Sequence, residues 1–288
     1  MMLPNRRRHV RISALPVLHL VPNVLTILGL CAGMTSIRYA LDGRWELAVS
    51  LIGAAVVLDG LDGRSARMFN LTSKLGAQLD SLADFLSFGV APAVLTYLWT
   101  LHDVRGVGWA LAMLFAVCCA LRLARFNTEL EQPDRPRWTY HFFTGIPAPA
   151  AAGLAVTPLM LSFVVGDAFA RSWALSAVFL VFVAVMMVSR VPTYSIKRVR
   201  IEPDKVLPAL LIAFVVIAGL VVETWLTLCV VSFLYLGSIP FAILAARRLR
   251  RKEGAPAAPA AASTDEGGAG GEPERVVSLG QQRQQRPS

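Results

Sequence analysis

Residues 209–222 read ALLIAFVVIAGLVV, apolar at every position, so neither a helical nor a strand period leaves a polar side. A transmembrane β-strand spans in about ten residues of alternating apolar and polar character, whereas a helix hydrogen-bonds its own backbone and can be apolar all round. The stretch therefore predicts a helix bathed in hydrocarbon. It lies within residues 206–222, and seven further mostly apolar stretches occur at 17–38, 45–63, 82–101, 106–124, 146–166, 172–189 and 224–246. Each is near the roughly 20 residues that cross a bilayer core of about 30 Å. Of the 288 residues, 55% are hydrophobic and 16% charged. Soluble domains average about 45–50% apolar, glycine included, and about 25% charged, which leaves little room here for a water-soluble enzyme. The expected fold class is all-α, a polytopic membrane helical bundle of about eight transmembrane helices.

The basic residues orient that bundle. With the N-terminus in the cytoplasm, every Lys and Arg falls on the cytoplasmic side except Arg38, Arg44, Arg105 and Arg171. Both termini are then cytoplasmic, as the positive-inside rule and an even number of spans require. The net charge of +9 is accounted for by topology and anionic lipid, and no nucleic-acid partner is expected. Residues 1–16 form a basic arm, 17–246 the membrane catalytic domain, and 247–288 a basic and then disordered tail rich in Ala, Pro, Gly and Gln. The uncharged run from Ile12 to Ile37 is too long for a cleaved signal peptide and is expected to remain as the first span. Cys31, Cys118, Cys119 and Cys229 all sit inside expected spans without metal-ligand spacing, so they are expected to act as small packing residues. His102 and His141 are treated as interfacial.

Acids break the apolar pattern at one place. Asp59 and Asp62 interrupt the second span, and Asp80 and Asp84 open the third. On a helix Asp59, Asp62, Gly63, Ala66 and Arg67 share one stripe, and Gly76, Asp80 and Asp84 share another. A turn near residues 70–73 lets the stripes face each other. Four carboxylates together would repel unless cations intervene, and all-oxygen ligation suits Mg²⁺ or Mn²⁺, in a pair about 4 Å apart for phosphoryl chemistry. The small residues leave space for a bulky anion, and Arg67 and Lys74 add positive charge for its phosphates. Interfacial ion pairing or a cation-transport pathway would explain a single acid. The full pattern of eight positions, however, arises by chance on the order of 10⁻¹⁰ per start site.

This block resembles the CDP-alcohol phosphatidyltransferases, whose signature D-x2-D-G-x2-A-R-x8-G-x3-D-x3-D is matched at Asp59, Asp62, Gly63, Ala66, Arg67, Gly76, Asp80 and Asp84. The resemblance implies a membrane enzyme with a six-helix catalytic core, usually a homodimer, that moves a phosphatidyl group from a CDP-lipid to an alcohol and releases CMP. It makes Asp59, Asp62, Asp80 and Asp84 metal ligands, Asp84 serving also as general base. Gly63, Ala66 and Arg67 would lie along the CDP-lipid, Thr72 or Ser73 would touch a phosphate, and Gly76 would give room to the nucleotide. Asn23 and Thr26, after Pro22, are similar to the family's other nucleotide-contacting turn; as an N-cap of the first helix, Asn23 would need no function.

The alcohol is decided elsewhere. DSLADFLSFGVAPA at 80–93, LRLARFN at 121–127 and GIPAPAAA at 145–152 resemble the bacterial membrane-spanning branch of the family that acts on CDP-diacylglycerol and L-serine. Ala148 departs from the Ser expected in many relatives, which weakens any hydroxyl role there. Arg122 and Arg125, three apart, could bind the acceptor carboxylate or lipid phosphates, with Lys74 nearby, although positive-inside residues would look the same. Glycerol 3-phosphate, inositol or choline remain alternative acceptors, and a divalent-cation transporter is the alternative from another class.

Overall fold

The computed structural model describes residues 21–69, 74–130, 142–189, 191–194 and 206–253. The basic arm at 1–16 and most of the tail lie outside the described residues. The chain begins with α1 (Val21–Leu41), reverses through residues 42–44, and continues as α2 (Trp45–Phe69). This pair forms the most extensive helix contact in the molecule. The reason is visible in α1, whose buried residues Pro22, Thr26, Gly29, Gly33, Ser36 and Ala40 are mostly small and recur every three or four positions. Lipid tails are as apolar as leucine, so helices in a bilayer associate through close van der Waals approach, which small side chains permit. Ala48, Val49, Ile52 and Ala55 of α2 are likewise buried. The Ser36 hydroxyl donates to the Ala48 carbonyl at 2.7 Å.

The next run is α3 (Lys74–Asp84), a π-helical turn over Phe85–Val90, and α4 (Ala91–Trp99). Sequence patterning places a span at 82–101 with Asp80 and Asp84 at its mouth; the apolar helix instead covers Leu75–Trp99 and carries both acids inside it. Pro92 accounts for the wide turn. An α-helix cannot receive the missing Pro92 N–H at the Phe88 carbonyl, and its ring crowds that oxygen. The backbone opens locally so that the Ala91 N–H reaches back to Leu86. A single π turn of this kind is frequent at functional sites.

A 3₁₀ turn at Leu101–Val104 leads to α5 (Arg105–Leu130). Residues 146–166 are not one straight helix. They form α6 (Ala148–Ala155) and α7 (Thr157–Val165), bent by 41°. Pro158, near the start of α7, cannot donate back across the break. Short α8 (Asp167–Ala170), then α9 (Trp173–Val188), α10 (Val206–Val222) and α11 (Thr224–Glu253) complete the helices. Strands β1 (Phe142–Thr144) and β2 (Pro192–Tyr194) pair antiparallel, a small addition to an otherwise helical fold. Gly145 follows β1 with φ +78°, and a Cβ there would lie 2.6 Å from the Met187 carbonyl, so the chain can pass the end of α9 only as glycine.

Four described helical segments are long and apolar enough to cross a bilayer, the α6–α7 pair makes a fifth, and α9 and α10 are shorter apolar helices. Seven of the eight expected stretches fall on these segments, and 45–63 falls on α2, which is not among the helices long and apolar enough to cross; the described residues thus give four to five spanning helices where eight were expected. The core lies where α5 meets α9 and the π turn, around Phe88, Leu95, Phe115, Leu154 and Leu180. Large apolar side chains such as Leu28, Val117, Leu210 and Phe241 point outward, and α10 buries no residue. That inverted surface is that of an integral membrane protein.

Candidate active site

The acids converge from two helices. Asp59 and Asp62 lie one turn apart near the end of α2, and Asp80 and Asp84 lie one turn apart on α3. Carboxylate oxygens of Asp59, Asp62 and Asp80 all come within 4.8 Å of one another. Asp84 lines the same narrow pocket, together with apolar Leu25, Ala55, Ala83 and Phe88. Asp62 is the most enclosed, with 5% of its surface exposed. Three hard oxygen donors at this spacing can share a divalent cation such as Mg²⁺ or Mn²⁺, and they lack the thiolate or imidazole groups that select softer metals.

Helix α1 supplies the third wall. The Thr26 hydroxyl sits 2.9 Å from Asp62 Oδ2 and 3.0 Å from the Pro22 carbonyl. It therefore holds the Asp62 carboxylate from a different helix. Asn23 lies within α1, in its first described turn, so it is not an N-cap in front of the helix. Ser87, on the π turn, also lines the pocket, and its hydroxyl donates to the Gly29 carbonyl at 3.1 Å.

Gly63 follows Asp62 on α2, and Gly76 lies half-buried in the first turn of α3. Ala66, Arg67 and Lys74 are helical in backbone, with side chains outside what is described; Thr72 and Ser73 lie outside the described residues altogether. The two arginines of α5 part company. Arg122 is half-buried and interacts electrostatically with Asp84 and Asp59. Arg125 turns away, its Nη1 3.5 Å from the Val188 carbonyl at the end of α9. There a cation complements the carbonyl end of the helix. Spacing of three put both arginines on one face, but the packing of α9 against α5 separates their ends.

Some contributors were not marked by the sequence pattern. Asn127 Nδ2 donates to Ser81 Oγ at 2.8 Å and ties α5 to the helix bearing Asp80 and Asp84. Both residues fall inside blocks that stood out, yet nothing in either block pairs them. Ser87 is similar: it follows Asp84 by three positions, the only hint that it shares the face.

The sequence matches the model of the family described as CDP-alcohol phosphatidyltransferase over residues 19–194, and a second one, CDP-alcohol phosphatidyltransferase 2, over 205–240. It is 38% identical over 240 residues to the CDP-diacylglycerol–serine O-phosphatidyltransferase of Mycobacterium leprae, covering 83% of this chain and 78% of that one. The protein of the same name from Helicobacter pylori (strain J99) is 39% identical over 183 residues, 64% of this chain and 75% of the other. The archaetidylserine synthase of Methanothermobacter thermautotrophicus is 37% identical over 134 residues, 46% of this chain and 54% of its own. The first family match begins just before α1 and ends in β2, so it contains every helix that brings a carboxylate or its Thr26 partner to the pocket, and the chain belongs to the CDP-alcohol phosphatidyltransferase family.

Proposed function

We propose that this protein transfers the phosphatidyl group of CDP-diacylglycerol to the hydroxyl of L-serine and releases CMP, a step of phospholipid biosynthesis. The observation that carries the reading is the convergence of Asp59, Asp62 and Asp80, in a family member whose relatives over most of the chain are named for that reaction. In this reading Asp84 takes the proton of the serine hydroxyl. The serine oxygen bonds to the β-phosphorus in line with the bond that breaks, and CMP leaves with the electron pair on its phosphate oxygen. No covalent enzyme intermediate is needed, so both substrates are bound at once. Asp59, Asp62, Asp80 and Asp84 would hold Mg²⁺ or Mn²⁺, two ions in this reading, which when bound neutralise the pyrophosphate and the departing phosphate. Gly63, Ala66, Arg67, Thr72, Ser73 and Gly76 bind the CDP-lipid, along with Asn23 and Thr26 on α1. Lys74 and Arg122 would bind the acceptor or phosphates; Arg125, occupied at α9, would support them indirectly.

The same reading takes residues 17–246 as the catalytic membrane domain, with 1–16 and 247–288 as cytoplasmic arms. The protein works as a homodimer in the cytoplasmic membrane with its active site on the cytoplasmic side. The test is CMP release from CDP-diacylglycerol by purified protein in detergent with Mn²⁺ or Mg²⁺, offering L-serine, inositol, choline or glycerol 3-phosphate separately. Release that depends on serine and yields phosphatidylserine is expected; release with another alcohol would overturn the acceptor assignment. Asp84→Asn is expected to abolish turnover while retaining CDP-lipid binding, and a fully active variant would remove Asp84 as the base.

A further inference from the structure

Arg122 is set apart from the other cations by where its guanidinium ends. Its Nε is buried and has no hydrogen-bond partner among the described residues. A buried donor of this kind is costly to leave unmade and calls for a ligand or an ordered group opposite it. The guanidinium interacts electrostatically with Asp84 and Asp59, and also with Tyr235 of α11. The Tyr235 hydroxyl oxygen is itself buried, and the ring packs against the core. A planar cation with an open N–H and a buried phenol, beside the carboxylate that faces the acceptor hydroxyl, is the chemistry of an oxyanion-binding subsite.

We propose that Arg122 and Tyr235 together bind the carboxylate of the amino-acid acceptor, which makes α11 a wall of the active site as well as a membrane helix. The proposal rests on the serine-dependent reaction assigned above. The acceptor's carboxylate and a phosphate of the CDP-lipid share this oxyanion chemistry, and Asp84 lies closest in function to the acceptor. Tyr235 is a specificity residue that acts at the carboxylate, at the end of the acceptor remote from the hydroxyl that reacts.

The experiment measures CMP release by the full-length enzyme against L-serine and L-serinamide, which keeps the hydroxyl and ammonium but lacks the carboxylate. For Tyr235→Phe the KM for serine is expected to rise about tenfold, as when a hydrogen bond to a charged group is lost. The KM for CDP-diacylglycerol is expected to stay unchanged, and the preference for serine over serinamide to fall by the same factor as serine affinity. Equal losses on both acceptors would reveal a structural role and overturn the proposal. So would a raised KM for CDP-diacylglycerol, which would assign the oxyanion to the lipid. Wild-type enzyme that uses serine and serinamide equally well overturns the subsite without any variant, so the test survives a Tyr235→Phe protein that does not fold. Serine-independent CMP release by the wild type would instead overturn the reaction itself, and the subsite with it.

Discussion

Thr26 shows how much a single hydroxyl can decide in this site. Asp62 is nearly enclosed, and its Oδ2 is held by Thr26 from a different helix. In the function proposed above Asp62 is a metal ligand, and groups that orient such a ligand commonly contribute 10–100-fold to metal affinity, so Thr26→Val is expected to weaken Mn²⁺ binding by about tenfold. Thr26→Ser keeps the hydroxyl and is expected to bind Mn²⁺ like the wild type. Electron paramagnetic resonance titration of Mn²⁺ into the detergent-solubilised protein reads this without turnover. Loss of CDP-diacylglycerol affinity at unchanged Mn²⁺ affinity would show that Thr26 serves the nucleotide instead. At this scale the sequence was most legible where spacing is local: three- and four-residue intervals put Asp59 with Asp62 and Asp80 with Asp84, whatever the surroundings. It was least legible for Thr26 with Asp62, Ser81 with Asn127 and Arg122 with Tyr235. Those partners lie 36, 46 and over a hundred positions apart and meet only through tertiary packing.

The elements carry a second kind of constraint, because α1 must approach both α2 and the π turn for Thr26 to reach Asp62. Gly33 is the point of closest approach: a Cβ there would stand 2.5 Å from Ser87 Oγ and 2.9 Å from Ser87 Cα. The second of these is backbone, which cannot rotate away. Gly33→Val is therefore expected to destabilise the protein by about 1–3 kcal/mol, the usual cost of overpacking, and to lower its melting temperature in detergent. The same push displaces α1 from Ser87 and the pocket, so Mn²⁺ affinity should fall as well. A variant that melts and binds Mn²⁺ like the wild type would show that α1 does not register the site through Gly33. Hydropathy located the long apolar helices but neither α3 nor α8, since length and apolarity are properties of a segment. It could not distinguish a straight span from the π turn before Pro92 or from the break before Pro158. A proline says where the hydrogen-bond ladder fails, and the neighbouring helices decide whether the chain widens, as after Asp84, or bends, as between α6 and α7.

For the molecule as a whole, one end of the bundle gathers the acids and their partners among the described residues. Thr26 at the start of α1 meets Asp62 near the end of α2, and Asp80 follows in the second half of α3. Asn127 near the end of α5 bonds to Ser81, and Arg125 reaches the end of α9. Gly43, in the turn between α1 and α2, lies at the other end, since α1 rises about 1.5 Å per residue and has 21 residues, roughly the thickness of a bilayer core. In the function proposed above, the positive-inside rule puts the acidic end in the cytoplasm, where a CDP-lipid and a small polar acceptor would both be in reach. Intact cells should therefore let a membrane-impermeant maleimide label Gly43→Cys but not Thr128→Cys, an exposed position near the end of α5, until the membrane is permeabilised. Cys118, Cys119 and Cys229 are buried, and exposed Cys31 lies midway along α1 toward hydrocarbon, so the native thiols give little background. The reverse pattern would turn the bundle over and put the acids outside. In that orientation the basic segments would violate the positive-inside rule together, which is why the labelling tests the placement of the active site and the topology in one measurement.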